Sequence, residues 1–141
     1  MVIAPFIAGA AAVLVTYLLL HHALPKRIAT HVGLSGPDGY SSTGSAVASC
    51  LVVFVVEAVL FLFKAWPDDE DETTPRAMSM LAAVAWAVAA ATAYLMCAML
   101  KAATHSTDGR NVSVPVYQFV IALALGTAIV LASRILSRRN Q

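Results

Sequence analysis

Apolar residues gather into four long runs, over about residues 3–22, 44–64, 77–101 and 114–134, with short polar intervals between them. Each run matches the roughly 20 apolar residues that a helix needs to cross a bilayer core. Punctuation supports the same division. Pro5 suits the first turn of a helix, where its missing N–H costs little. Ser41, Ser42 and Thr43 are candidate N-caps for the second run. Pro75 and Pro115 mark the starts of the third and fourth. The third run is dense in Ala, and the fourth carries Ala122 and Gly126 at small-xxx-small spacing, which permits close helix–helix approach in lipid. The pattern predicts an all-α protein, an integral membrane four-helix bundle, with residues 1–141 forming a single membrane domain.

Composition strengthens that expectation. The chain is 60% hydrophobic and 12% charged, with a mean hydropathy of +0.77. A soluble chain of this size leaves too much surface in water to bury such a content. The formal net charge of +1, without a basic stripe, argues against a nucleic-acid partner. The first run lacks the positive n-region of a secretory signal and reads as an uncleaved span. Cys50 and Cys97 lie inside apolar runs at similar depth and form no CxxC or disulfide pattern. They could approach each other, but Cys is also a common small apolar residue of membrane cores. No nucleophile elbow, P-loop, HExxH or GxGxxG motif occurs, so neither an enzyme nor a cofactor is expected.

Four spans place both termini and the interval at residues 65–76 on one side, and the intervals at 24–43 and 102–113 on the other. Lys64, Arg76, Arg134, Arg138 and Arg139 fall on the first side; Lys26, Arg27, Lys101 and Arg110 fall on the second. The C-terminal basic cluster tips the balance towards cytoplasmic termini, with the plasma membrane as the expected location. The acidic run at 68–72 weighs little in that rule and reads as a solvated loop. Asn111, Val112 and Ser113 form a glycosylation sequon with little meaning on its own.

The interval 24–43, LPKRIATHVGLSGPDGYSST, is the longest polar stretch and the most specific in composition. Pro25 stops the first helix, because the residue before a proline avoids the helical region. Pro37, Asp38 and Gly39 read as a turn. Snorkelling at headgroup level accounts for Lys26 and Arg27. His31 could pin the loop by hydrogen bonds, ligate a metal or accept a proton, pinning being the commoner use of a lone loop histidine. His21, His22, His31 and His105 map to one side, together with Asp38 and Asp108. His31, His105 and Asp38 are therefore weak metal candidates, although their spacing matches no standard motif and adjacent His21 and His22 would point to different helix faces.

The ordered set Leu24, Pro25, Ile28, Thr30, His31, then Gly36, Pro37, Asp38, Gly39, Tyr40 and Ser41 resembles a signature of small bacterial and archaeal membrane proteins. That signature reads roughly "LP..I.TH....G.PDG..S" and includes a domain of the SdpI-type toxin immunity proteins. The resemblance covers about twenty residues and the preceding helix. It implies binding residues at Pro25, Thr30, His31, Gly36, Asp38, Gly39 and Tyr40, and immunity against a membrane-active toxic peptide, in some members combined with signalling. Two places depart from the pattern. Val32 and Gly33 stand where the family has an aromatic residue and an Asn, and Ser42-Thr43 stands where it often has a Lys.

Glu57 is the single acidic residue inside a span. A carboxylate at that depth is costly, so it is expected to be protonated, paired or facing a wet interior. Lys64 lies seven residues on along the same face, about 10 Å away. A hydrogen-bonded structural role is the ordinary outcome, and a proton-coupled transport role the sharper one. Three functions follow: a non-enzymatic SdpI-like protein whose outer loop recognises a small partner such as a peptide toxin; a small proton-coupled transporter using Glu57; or an accessory subunit bound to a partner membrane protein. Membrane lipid surrounds the chain in each case, and the transporter would need a homo-oligomer to enclose enough volume.

Overall fold

The computed structural model describes residues 2–33, 36–66, 74–106, 112 and 114–139, with 29–33, 36–38 and 137–139 described by backbone alone. Four helices, α1 (Ala4–Leu20), α2 (Thr43–Ala65), α3 (Pro75–Ala103) and α4 (Val116–Arg139), make an all-α bundle. An antiparallel hairpin, β1 (Arg27–Gly33) and β2 (Gly36–Ser42), is inserted between α1 and α2. Three of the helices, α2, α3 and α4, are long and apolar enough to cross a membrane. The first is apolar but has only 17 residues, about 26 Å at 1.5 Å per residue. It ends at Leu20, ahead of His21 and His22. Those two histidines therefore sit in a turn with ring centroids 3.7 Å apart, rather than diverging onto two helix faces. The protein is an integral membrane bundle.

The helix starts follow the polar punctuation. Ser42 caps α2 by accepting a hydrogen bond from the Ser45 amide at 3.1 Å. Thr74 accepts from the Ala77 amide at 3.3 Å, with Pro75 in the first turn of α3. The Gln118 amide reaches back to the Pro115 carbonyl at 2.9 Å. Each bond satisfies a donor that a helix N-terminus leaves without an intrahelical partner.

Three helices share the main core. Phe6 and Val13 of α1, Val47 and Phe54 of α2, and Ala85, Ala89, Ala93 and Leu100 of α3 form one buried cluster. The alanines of α3 let its neighbours approach closely, which is how helices associate when lipid supplies no hydrophobic drive. Gly9 is the tightest point. A Cβ there would stand 2.6 Å from Phe54 Cε1 and 3.3 Å from the Ala89 carbonyl oxygen, so α1, α2 and α3 meet at a position without a side chain.

Phe6, near the start of α1, lies 5.2 Å ring to ring from Phe61, near the end of α2, so these two helices run antiparallel. Gly9 meets Ala89, and Thr16 meets Cys97, so α1 and α3 run parallel. Among the described residues the fourth helix packs chiefly on α3 and antiparallel to it, with Gly126 against Ala87 and Gln118 against Tyr94. Ala122 is its one buried hydrophobic among the described residues, and its large apolar side chains, among them Val116, Leu123 and Leu136, are exposed on more than one face. In a bilayer they are lipid-facing surface. The hairpin and the α3–α4 connection share one end of the bundle.

The polar interval folds as a hairpin rather than a loop bent at Pro37-Asp38-Gly39. Those three residues belong to β2, and the chain reverses between Gly33 and Gly36, which pair with each other. In a two-stranded sheet both strands are edges, and an edge strand accommodates a proline because its missing N–H can face outward. The turn chemistry at residues 37–39 was outweighed by pairing, with a glycine on each side of the reversal to relieve it.

Candidate functional site

The hairpin carries the motif residues and is fixed at its root. The Thr43 hydroxyl donates to the Pro25 carbonyl, and the Thr43 amide donates to the Lys26 carbonyl at 3.2 Å. Ile28 is buried with Ala46 of α2 and Ala103 of α3, with Leu24 and Val112 packed around them. Arg27 Nη2 reaches the Tyr40 carbonyl at 3.4 Å across the strands. Helix α1 has already ended at Leu20, five residues before Pro25, so the part Pro25 plays is to supply a carbonyl anchor for α2.

Above the root the register is irregular twice. Ala29 pairs with Tyr40, His31 with Gly39 and Val32 with Pro37, so Thr30 is an extra residue on β1 and Asp38 an extra residue on β2. Bulges bend a strand and re-aim side chains, and they concentrate beside binding sites. The two extra residues flank the His31–Gly39 pair from opposite strands. The side chains of Thr30, His31 and Asp38 lie outside the described residues, as do Asp108, the acidic run at 68–72 and the sequon positions Asn111 and Ser113. Among the described residues no three His, Cys, Asp or Glu side chains come together as a metal site.

Glu57 lies on α2 facing α3. Its Oε1 accepts a hydrogen bond from the Thr92 hydroxyl at 2.8 Å, whereas Oε2 is buried with no hydrogen-bond partner among the described residues. Lys64, exposed near the end of α2, is not its partner. Glu57 stands fourteen residues from Thr43, about 21 Å down the helix from the hairpin end. Of the outcomes expected for a carboxyl at that depth, the observed one is a single hydrogen bond and one unsatisfied oxygen.

A cleft of about 680 Å³ opens at the hairpin end between α1, α3 and the start of α4. Its α3 wall consists of Tyr94, Cys97, Ala98, Lys101, Ala102 and His105. These positions advance by three and four residues and so make one stripe of the helix. Thr16 and Leu20 close one side, and Tyr117 and Gln118 the other. At its base the Tyr94 hydroxyl donates to Gln118 Oε1. On the α1 side Thr16 Oγ1 lies 3.3 Å from Cys97 Sγ and donates to the Ala12 carbonyl at 2.8 Å. Cys50 and Cys97 are both free thiols and half-buried.

Thr92, two residues from Tyr94, projects roughly 160° away from that stripe at 100° per residue. Glu57 is therefore bound to the opposite face of α3 from the cleft. Of the described residues expected from sequence to carry function, His105 alone reaches the cleft, at its rim. Tyr94, Lys101 and Gln118 were not expected as a set. Part of their signal is the spacing 94, 97, 98, 101, 102 and 105, which places Tyr94, Cys97 and Lys101 on one line of α3, with His105 just past its end.

Comparison with protein-family models, with curated proteins and with solved structures finds no match for the chain.

Proposed function

We propose that this membrane bundle is a non-enzymatic recognition protein of the SdpI-like kind. In this reading it sits in the plasma membrane with its termini in the cytoplasm, and its hairpin meets a small peptide partner outside. One observation carries the proposal. From Ile28 to Ser41 the residues of the resemblance fall on a two-stranded hairpin anchored to α2 and α3, with bulges at Thr30 and Asp38 around His31 and with Leu24 and Pro25 at its root. An anchored hairpin offers unpaired strand edges to which an extended peptide can add by main-chain hydrogen bonds.

The test is protection. A sensitive bacterial host expressing the chain is challenged with a panel of membrane-active peptides, alongside hosts carrying His31→Ala or Asp38→Asn at equal membrane levels. Protection by the wild type that falls at least tenfold in the variants supports the proposal. Unchanged sensitivity of the wild-type host across the panel removes it.

The unsatisfied Oε2 of Glu57 favours a second reading, a proton-coupled carrier. Its separation from the cleft counts against it, since a carrier needs its carboxyl where a substrate can reach. Proton-coupled flux in proteoliposomes, abolished by Glu57→Gln, would establish it over the first.

A further inference from the structure

The cleft beside α3 takes no part in recognition at the hairpin, and its polarity is graded. Lys101 stands in the last turn of α3 with His105 four residues beyond it, both exposed at the hairpin end. A lysine in the last turn of a spanning helix lies at headgroup level. Among the described residues no acidic side chain lines the cleft, and Lys101 supplies a cation at its mouth. Leu20 and Ala102 stand about level with Lys101, and below it the wall is formed by Ala98, Cys97, Val114 and Pro115. The Tyr94–Gln118 hydrogen bond stands seven residues lower on α3, about 10 Å deeper. The volume of about 680 Å³ is far more than a lysine stem fills and falls within the range of small-molecule sites. The two flanking helices, α1 and α4, both lean on α3 without packing substantially on each other, so the gap between them faces the bilayer.

We propose that this cleft binds one phosphate-headed anionic lipid. The phosphate sits beside Lys101, with His105 as a second polar contact, and one acyl chain runs down between α1 and α4 towards the Tyr94–Gln118 pair. A compact ammonium suits a phosphate as a point charge. An apolar slot below it at chain depth distinguishes a lipid from a free anion.

The experiment uses the full chain, delipidated in a non-ionic detergent and titrated with phosphatidylglycerol or phosphatidylcholine, with bound lipid counted by native mass spectrometry. The expected result is one phosphatidylglycerol held at least tenfold more tightly than phosphatidylcholine, in line with a charge-assisted hydrogen bond. Lys101→Gln should remove most of that preference, and Lys101→Arg should keep it. Ala98→Trp, which fills the slot, should weaken both lipids. Lys64→Gln at the other end of the bundle should change neither and so controls for general surface charge. Equal binding of the two lipids by the wild type, or a preference that survives Lys101→Gln, overturns the proposal. Displacement of phosphatidylglycerol by millimolar inorganic phosphate also overturns it, because the site would then read the anion alone. A delipidated dimer that excludes lipid overturns it in favour of a second copy occupying the cleft.

Discussion

The same substitution should have opposite signs at two glycines of this bundle. Alanine gains up to about 1 kcal/mol over glycine in a helix interior wherever the methyl has room. At Gly126 it has room, because the nearest atom to a new Cβ is the Ala87 carbonyl oxygen at 3.4 Å. Gly126→Ala should therefore be neutral or stabilise by up to about 1 kcal/mol. At Gly9 the methyl would stand 2.6 Å from the Phe54 ring, about 0.8 Å inside an ordinary 3.4 Å contact. Phe54 is 2% exposed and held in the shared core, and the same methyl would also crowd the Ala89 backbone carbonyl at 3.3 Å, which cannot swing aside as a side chain can. Overpacking of that kind costs about 1–3 kcal/mol. Set against the propensity gain, Gly9→Ala should destabilise by up to about 2 kcal/mol. Equilibrium unfolding in mixed micelles, followed by far-ultraviolet circular dichroism, measures both variants. Adding Phe54→Leu makes a cycle in which Gly9→Ala should recover at least about 0.5 kcal/mol through direct coupling. Equal shifts at the two glycines, or a Gly9→Ala cost indifferent to residue 54, would refute the three-helix pinch.

Thr92→Val should cost about 1–2 kcal/mol, because it leaves the whole Glu57 carboxyl without a partner. Glu57→Leu should be neutral or stabilising, and should abolish the effect of Thr92→Val in the double variant, measured by the same unfolding assay. Ser42→Ala removes the cap of α2 and should cost about 1 kcal/mol, with faster hydrogen exchange at the Ser45 amide. Thr43→Val breaks the tie to the Pro25 carbonyl and should raise exchange across β1 and β2 while leaving α3 and α4 protected. Tyr94→Phe takes the donor from Gln118 Oε1 and should speed exchange in the first turns of α4 alone.

Much of the helical scaffold was legible in the chain because apolar runs of bilayer length, punctuated by Pro5, Pro75, Pro115 and capping Ser and Thr residues, have few other solutions. The helix lengths differ most at α1, which stops at Leu20 rather than carrying on through His22, and at α4, which continues to Arg139 rather than stopping at Arg134. The hairpin was not legible. Pro37, Asp38 and Gly39 have the local chemistry of a turn, and only the long-range pairing with β1 shows that they run extended. Gly33 and Gly36, which flank the real reversal, looked like ordinary loop glycines. The cleft was hidden for a different reason. The stripe from Tyr94 to His105 interleaves its polar side chains with Ala98 and Ala102 in an alanine-rich helix, and its partner Gln118 lies on another helix. Glu57 was conspicuous as a lone carboxylate, but its partner Thr92 looked like any small polar residue of a span.

The lopsided attachment of α4 carries a consequence for biogenesis. Everything buried in the shared core belongs to α1, α2 and α3, whereas α4 contributes Ala122 and a seam at Gly126. A ribosome releasing this chain would therefore deliver a complete three-helix nucleus before the last helix arrives. The wall formed by Tyr117 and Gln118 is added afterwards, so the cleft is the last feature of the protein to be assembled and the first to be lost when α4 lets go.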